Sequence, residues 1–137
     1  MNFSILFTHA PIAVPSAPTG SKEIGAVVEF HGVVRELENG VALAGLHYEA
    51  YEPMAKRRLE AIFESLQSTA PVHSIQFIHR LGWVPVGEAS LYIRVTAAHR
   101  GEAFEFCKET IDAMKRDVPI WKTVPPKNLL TPLTRLT

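Results

Sequence analysis

Cations flank both ends of the segment AHRGEAFEFCKETIDAMKRDVPIWK: His99 and Arg100 open it, Lys115 and Arg116 follow, and Lys122 closes it. His99-Arg100 stands where a strand-like run hands over to a helix-like one. The first N–H groups of a helix are unpaired and carry partial positive charge, so such a junction can receive an anion. An arginine there adds a two-pronged grip on phosphate. The plainer reading is a solvated pair at a helix start. Lys115 follows Met114, the last member of an apolar stripe, and so lies at the edge of the buried face. A lysine that loses water at such an edge has a lowered pKa and can serve as base or nucleophile. Cations in a last helical turn also suit the helix dipole, which is the plainer reading of Lys115 and Arg116. In Pro119-Ile120-Trp121-Lys122, strand alternation sends Trp121 into the core and Lys122 toward a groove or water. Arg35 ends the run Val33-Val34. Spacing alone does not decide whether these cations converge.

Other groupings carry less. His73 and His79 are too far apart, and too short of a third ligand, for a metal site. Cys107 falls on the apolar stripe and reads as core rather than nucleophile. Glu60 and Glu64 read as a solvated helix face shared with Lys56 and Arg57. No Ser-His-Asp arrangement with an elbow and no phosphate-binding loop of the P-loop type is present.

The elements that must position these residues follow from periodicity. Phe3 to Thr8 predicts a first strand, and Pro11, Pro15, Pro18 and Gly20 predict a loop after it. Residues 25–35 are rich in β-branched side chains and predict a strand, with a bulge or close approach at Gly32. Asn39-Gly40 is a turn signal, and Ala42 to Tyr51 alternates, so the two runs predict a hairpin. Pro53 suits a first helical turn, and Met54, Leu59, Ile62, Phe63 and Leu66 recur at helical spacing up to Pro71. Ser74 to Leu81 predicts a strand with Ile75, Phe77 and His79 on one face. Gly82, Pro85 and Gly87 interrupt. Ala89 to Ala97 predicts the next strand, Leu91, Ile93 and Val95 alternating with Tyr92, Arg94 and Thr96. A second helix is expected over 101–116 with the stripe Phe104, Cys107, Ile111 and Met114. A short strand over 120–124 ends at Pro125-Pro126. Hairpins with two separate main helices predict an α+β fold, not a doubly wound sheet.

The chain has 137 residues, enough for one domain with a real core, and 47% of them are hydrophobic. Fourteen basic and fourteen acidic side chains cancel, which argues against nucleic acid or bulk polyanion as partner but leaves room for a local cationic pocket. A single cysteine excludes an internal disulfide and a cysteine-rich zinc site. The N-terminus has no signal-peptide pattern, and no apolar run is long enough to span a membrane. A cytoplasmic protein is the expectation.

GAVVEFHGVVRE, LHYEAYEPMA and FIHRLGWVPVGEASLYIRVTAAHRGEAFEFCKETIDAMKRDVPIWK resemble the family of large, catalytic subunits of molybdopterin synthase, over residues 25–122. The ordered motifs Val-Arg, Tyr-Glu-x-Tyr-x-x-Met, His-Arg-x-Gly, Gly-Glu, Ala-His-Arg and Lys-x-x-x-Pro-x-Trp-Lys carry the resemblance. It implies an α/β hammerhead with an added antiparallel sheet, filling residues 1–137 as a single domain. Within it, 1–24 form an N-terminal strand and Pro-rich loop. The resemblance implies a sulfurtransferase that builds the dithiolene of molybdopterin on cyclic pyranopterin monophosphate. The sulfur donor would be a small ubiquitin-like subunit whose C-terminal Gly-Gly carries a thiocarboxylate. Two large subunits would form a homodimer within a heterotetramer. Carried over residue by residue, Lys115 and Lys122 match the lysines beside the thiocarboxylate, Lys115 being the stronger catalytic candidate. Arg35, His99, Arg100 and Phe30 match substrate-pocket positions, some contributed across the dimer. No cofactor or metal is required. The sequence departs from the family in a shorter segment over 36–39 and in the tail over 123–137, where Arg135 is a poor match for a further basic pocket residue. A non-catalytic paralogue that only docks a ubiquitin-like partner is the alternative, and an unrelated phosphate-binding α+β domain a remote third.

Overall fold

The computed structural model describes residues 1–18 and 20–124, and the backbone of 134–136. Its elements are β1 (Asn2–Thr8), β2 (Ala26–Val33), β3 (Leu37–Glu38), β4 (Val41–Ala42), β5 (Gly45–Ala50), α1 (Glu52–Gln67), β6 (Ser74–Arg80), β7 (Gly82–Pro85), β8 (Ala89–Ala97), α2 (Arg100–Asp117), β9 (Ile120–Val124) and β10 (Thr134–Leu136). The fold is α+β, as expected. A four-stranded sheet has the order β1-β6-β8-β2, with β1 parallel to β6 and the other pairs antiparallel. A second, antiparallel sheet has the order β10-β9-β5-β7. No helix among the described residues is long and apolar enough to cross a membrane. The prolines at 125 and 126 lie outside the described residues, as does the side chain of Arg135.

The helices cover one face of the first sheet. Phe63 of α1 meets Phe77 of β6 at 6.5 Å and Phe106 of α2 at 6.1 Å between ring centroids. These rings anchor the main core, with Leu59, Ile75, Ile93 and Val95 around them. Pro53 stands in the first turn of α1 as expected. Gln67 closes that helix: its amide donates to the Val72 carbonyl and accepts from the Val72 N–H, both at 3.0 Å, clasping the chain around Pro71. A smaller core of Val34, Leu43, Leu46, Val84 and Val124 lies against the second sheet.

Several expectations need correction. The long hairpin does not form. Asn39-Gly40 does close a turn, but of a short hairpin, β3–β4, two residues to a strand, that pairs with no other described strand. β2 and β5 part into different sheets. The bulge expected at Gly32 falls between Gly32 and Val33, and Val34 then exchanges backbone hydrogen bonds with Glu88 and Gly87, drawing the chain out of line. The interruption at 82–85 contains a strand, β7. It is the edge of its sheet, where Pro85 can stand without a ladder bond.

The stripe of α2 is rotated from the one expected. Ala103, Phe106, Cys107, Thr110, Ala113 and Met114 are buried, whereas Phe104 is 60% exposed. Small Ala103 lets the helix approach, and Phe106 is turned toward Phe63. The polar face of β8 is buried as well as the apolar one: Tyr92, Arg94 and Thr96 are all buried. The Pro-rich loop covers it, because the Arg94 guanidinium donates to the backbone carbonyls of Pro15 and Ser16. Tyr92 donates to Glu29 at 2.9 Å, and burial with that carboxylate raises the phenol to about 12.

Candidate active site

The two sheets meet along a seam crossed by the chain as it leaves α2 and enters β9. A cleft of about 860 Å³ opens there. Four of the six site residues expected from the sequence line it. Phe30 comes from β2, Arg35 from the segment after β2, Lys115 from the last turn of α2, and Lys122 from β9.

Local structure explains each placement. α2 buries Ala113 and Met114, so Lys115 emerges at the rim and is exposed. Of the two readings open for Lys115, the single chain shows the solvated cation in a last helical turn, not the desolvated one. Val118 caps α2 through its N–H to the Met114 carbonyl, and Pro119 separates the helix from β9. That short connection fixes how far Lys115 stands from Lys122. Trp121 was expected in the core; it is instead partly exposed on the cleft wall. Its indole N–H donates at 2.9 Å to Glu49, its register partner on β5. An indole N–H needs such an acceptor, which a wholly apolar core would not supply.

His99 and Arg100 do not join this group. They are exposed at the start of α2, and His99 makes no side-chain cap. Fifteen residues of helix, about 22 Å at 1.5 Å per residue, separate Arg100 from Lys115. Within one chain, the cations at the two ends of α2 cannot hold the same small molecule.

Two further residues of the cleft were not assigned from the sequence. Glu38 on β3 is the only acid among the described lining residues. Its carboxylate accepts from Lys122 Nζ at 2.8 Å and stands 3.9 Å from Arg35 Nη2. The Glu38 side chain is 14% exposed, that of Lys122 33%, and that of Arg35 78%. His79 on β6 lies at the cleft floor, its ring edge-on to Tyr48 at 5.1 Å. Its Nδ1 is 2.8 Å from the Arg80 carbonyl, so Nδ1 carries the proton and donates. Burial lowers its pKa to about 4, with the Arg80 carbonyl opposing, so the ring is neutral at neutral pH and its Nε2 is an acceptor. The FIHR motif held His79 in view; only the tertiary structure put it in the cleft.

No group of three or more His, Cys, Asp or Glu suited to a metal is found among the described residues. His73 faces Glu23 and His79 faces Arg80, so the two histidines do not meet. Cys107 is buried, and burial raises its thiol pKa, as suits a core side chain.

The sequence and the fold are similar to those of known proteins. A molybdopterin synthase catalytic subunit from Arabidopsis thaliana is 45% identical over 100 residues, covering 73% of this chain and 50% of its own. The chain thus spans about half the length of that relative. The crystal structure of molybdopterin synthase from Staphylococcus aureus superposes with a TM-score of 0.85 at 30% identity, covering 96% of this chain and 95% of its own. A complex of subunits 1 and 2 of molybdopterin-converting factor from Helicobacter pylori gives 0.69 at 27% identity, covering 85% and 74%. The family model described as MoaE protein matches residues 7–117, a span that takes in Phe30, Arg35, His99, Arg100 and Lys115 and stops short of Lys122. With sequence and fold in agreement, the chain belongs to the MoaE protein family.

Proposed function

We propose that this chain is the catalytic subunit of a molybdopterin synthase. It would transfer sulfur from the C-terminal thiocarboxylate of a small ubiquitin-like subunit to cyclic pyranopterin monophosphate. The observation that carries the reading is the gathering of Arg35, Lys115 and Lys122, three cations from three separate segments, on one cleft beside Phe30.

Both reactants are anionic, and each transfer passes through further negative charge. The thiocarboxylate sulfur bonds to a substrate carbon as a C–O bond at that carbon breaks, and the displaced oxygen leaves as a phosphate-ester oxygen or as water, taking a proton in the latter case. Water then attacks the acyl carbon, the acyl C–S bond breaks, and the tail leaves as a carboxylate. Two transfers make the dithiolene. Fixed ammonium groups in a cleft stabilise the oxyanion formed at the acyl carbon more strongly than water does, because they need no reorganisation. Lys115, at the rim, is assigned to that oxyanion and to proton transfer. Lys122 and Arg35 hold the end of the donor tail, and Phe30 offers an apolar wall to the pterin.

His99 and Arg100 suit the substrate phosphate, as a pair of donors at a helix start. Their separation from Lys115 supports a homodimer in which one protomer supplies them to the cleft of the other, within a heterotetramer. The Helicobacter pylori complex of two subunits supports a small-subunit partner. Residues 1–137 would act as one domain in the cytoplasm, which a single cysteine suits.

Reconstitution tests the reading. The chain is mixed with a thiocarboxylated small subunit and cyclic pyranopterin monophosphate, and dithiolene product is assayed. Product that collapses in Lys115→Ala is expected. A small subunit that binds without yielding product would overturn the enzyme in favour of a non-catalytic paralogue.

A further inference from the structure

Among the described residues that line the cleft, the one carboxylate stands between two of its cations. Glu38 accepts from Lys122 at 2.8 Å and faces Arg35 at 3.9 Å, with its side chain largely sheltered. Chemically, a glutamate side chain ends in the same group as a spent donor tail. The element that carries it is slight. β3 and β4 are two residues each, pair only with one another among the described strands, and expose Leu37 and Val41. Asn39 and Gly40 turn the chain at positive φ, 51° and 77°. A hairpin this short is not stable alone, and moving it breaks no ladder of either four-stranded sheet.

We infer that Glu38 is an internal competitor for the donor tail. Its carboxylate engages Lys122 and Arg35 where the tail's terminal anion would bind, and the tail binds by displacing it. The inference rests on the sulfurtransferase reading. Its consequence is kinetic as well as thermodynamic. After sulfur leaves, the tail is a carboxylate no better matched to Lys122 than Glu38 is. The return of Glu38, effectively intramolecular, then drives the spent subunit off. Glu38 thereby sets tail affinity and product release, without touching the reacting atoms.

The test uses the full chain and a small subunit ending in Gly-Gly, as the free carboxylate and as the C-terminal amide. Affinities are read by titration calorimetry. Glu38→Gln should bind the carboxylate form about fivefold more tightly than wild type, the order expected for losing one partly exposed ion pair. Binding of the amide form should not change. Multiple-turnover kcat should fall relative to the single-turnover rate, as release slows. In a Lys122→Ala background, Glu38→Gln should no longer tighten binding. Glu38→Asp keeps the charge on a shorter arm and should fall between wild type and Glu38→Gln, which guards against a folding defect in one variant. Carboxylate binding that is unchanged or weaker in Glu38→Gln would overturn the inference and leave Glu38 as a group that merely orders Lys122. A wild-type chain that binds neither form would overturn the sulfurtransferase reading and this inference together. A wild-type chain that binds and turns over, beside a Glu38→Gln that does not tighten, would overturn this inference alone.

Discussion

Acidification should destabilise the protein through His79. In the folded chain its pKa is about 4; in the unfolded chain it returns to its ordinary value of 6.5. The folded pKa is the lower one, so the unfolded state takes up the proton first. The contribution to stability is complete above about pH 6.5, falls as pH drops toward 4, and changes no further below that. Each unit of difference is worth about 1.4 kcal/mol, so the loss sums to about 3 kcal/mol. The rings of Tyr48 and Phe77 beside it are uncharged and offer the imidazolium no counter-ion. The assay is urea denaturation across pH 4 to 8, comparing wild type with His79→Gln. Carboxylates that titrate near pH 4 act in both proteins and cancel in the difference. The two curves should diverge below pH 6.5, wild type losing about 3 kcal/mol more by pH 4. Parallel curves would refute a buried neutral imidazole.

Other outcomes are as specific. Lys115→Ala should lower kcat by about 10²–10³-fold, the usual effect of removing one oxyanion partner, while calorimetry finds small-subunit affinity nearly unchanged. Mixed Lys115→Ala and Arg100→Ala chains, each inactive alone, should recover roughly a quarter of wild-type activity, because random re-pairing into two-fold dimers restores one site in each mixed pair. No recovery would count against a site shared between protomers. Gly45→Ala should destabilise by about 1–3 kcal/mol in thermal melts. A Cβ there would stand 2.5 Å from the Val84 carbonyl oxygen and 2.6 Å from the Trp83 ring.

The local part of the fold was legible in the sequence because its signals are local. Pro53 and Pro119 bounded the helices, and alternation over 89–97 found β8 to the residue. Alternation could not tell that the polar face of β8 would also be buried. That depended on a loop some 80 residues earlier supplying carbonyls to Arg94. The turn at Asn39-Gly40 was read correctly, yet a turn does not say how far its strands stay paired. Gly32 and Val34 ended that pairing through contacts with residues near 88. On α2, the aromatic at 104 drew the stripe one position away from Phe106, whose partner Phe63 lies on another helix. The site followed the same rule. Residue types and family motifs nominated Arg35, Lys115 and Lys122. Which cations share a cleft is a matter of where α2 begins and ends, and its length separates Arg100 from Lys115. Glu38 had no signal beyond an acid beside a turn, since nothing local says which wall a hairpin leans on.

The two cores differ in size, and this bears on how long activity outlasts heat or denaturant. Among the described residues, sixteen buried hydrophobic side chains form the larger core, between the helices and the first sheet, and five form the smaller one, against the second. Lys115 is anchored by the larger core and Lys122 stands on a strand of the second sheet. The second sheet can therefore open while the first persists, since regions with few buried apolar contacts open at lower free energy than the whole. Such an opening leaves most of the helical signal intact yet parts the two lysines. The working life of the cleft is then governed by the weaker half, and a change that hardens the larger core alone would raise the melting temperature without lengthening the life of the site.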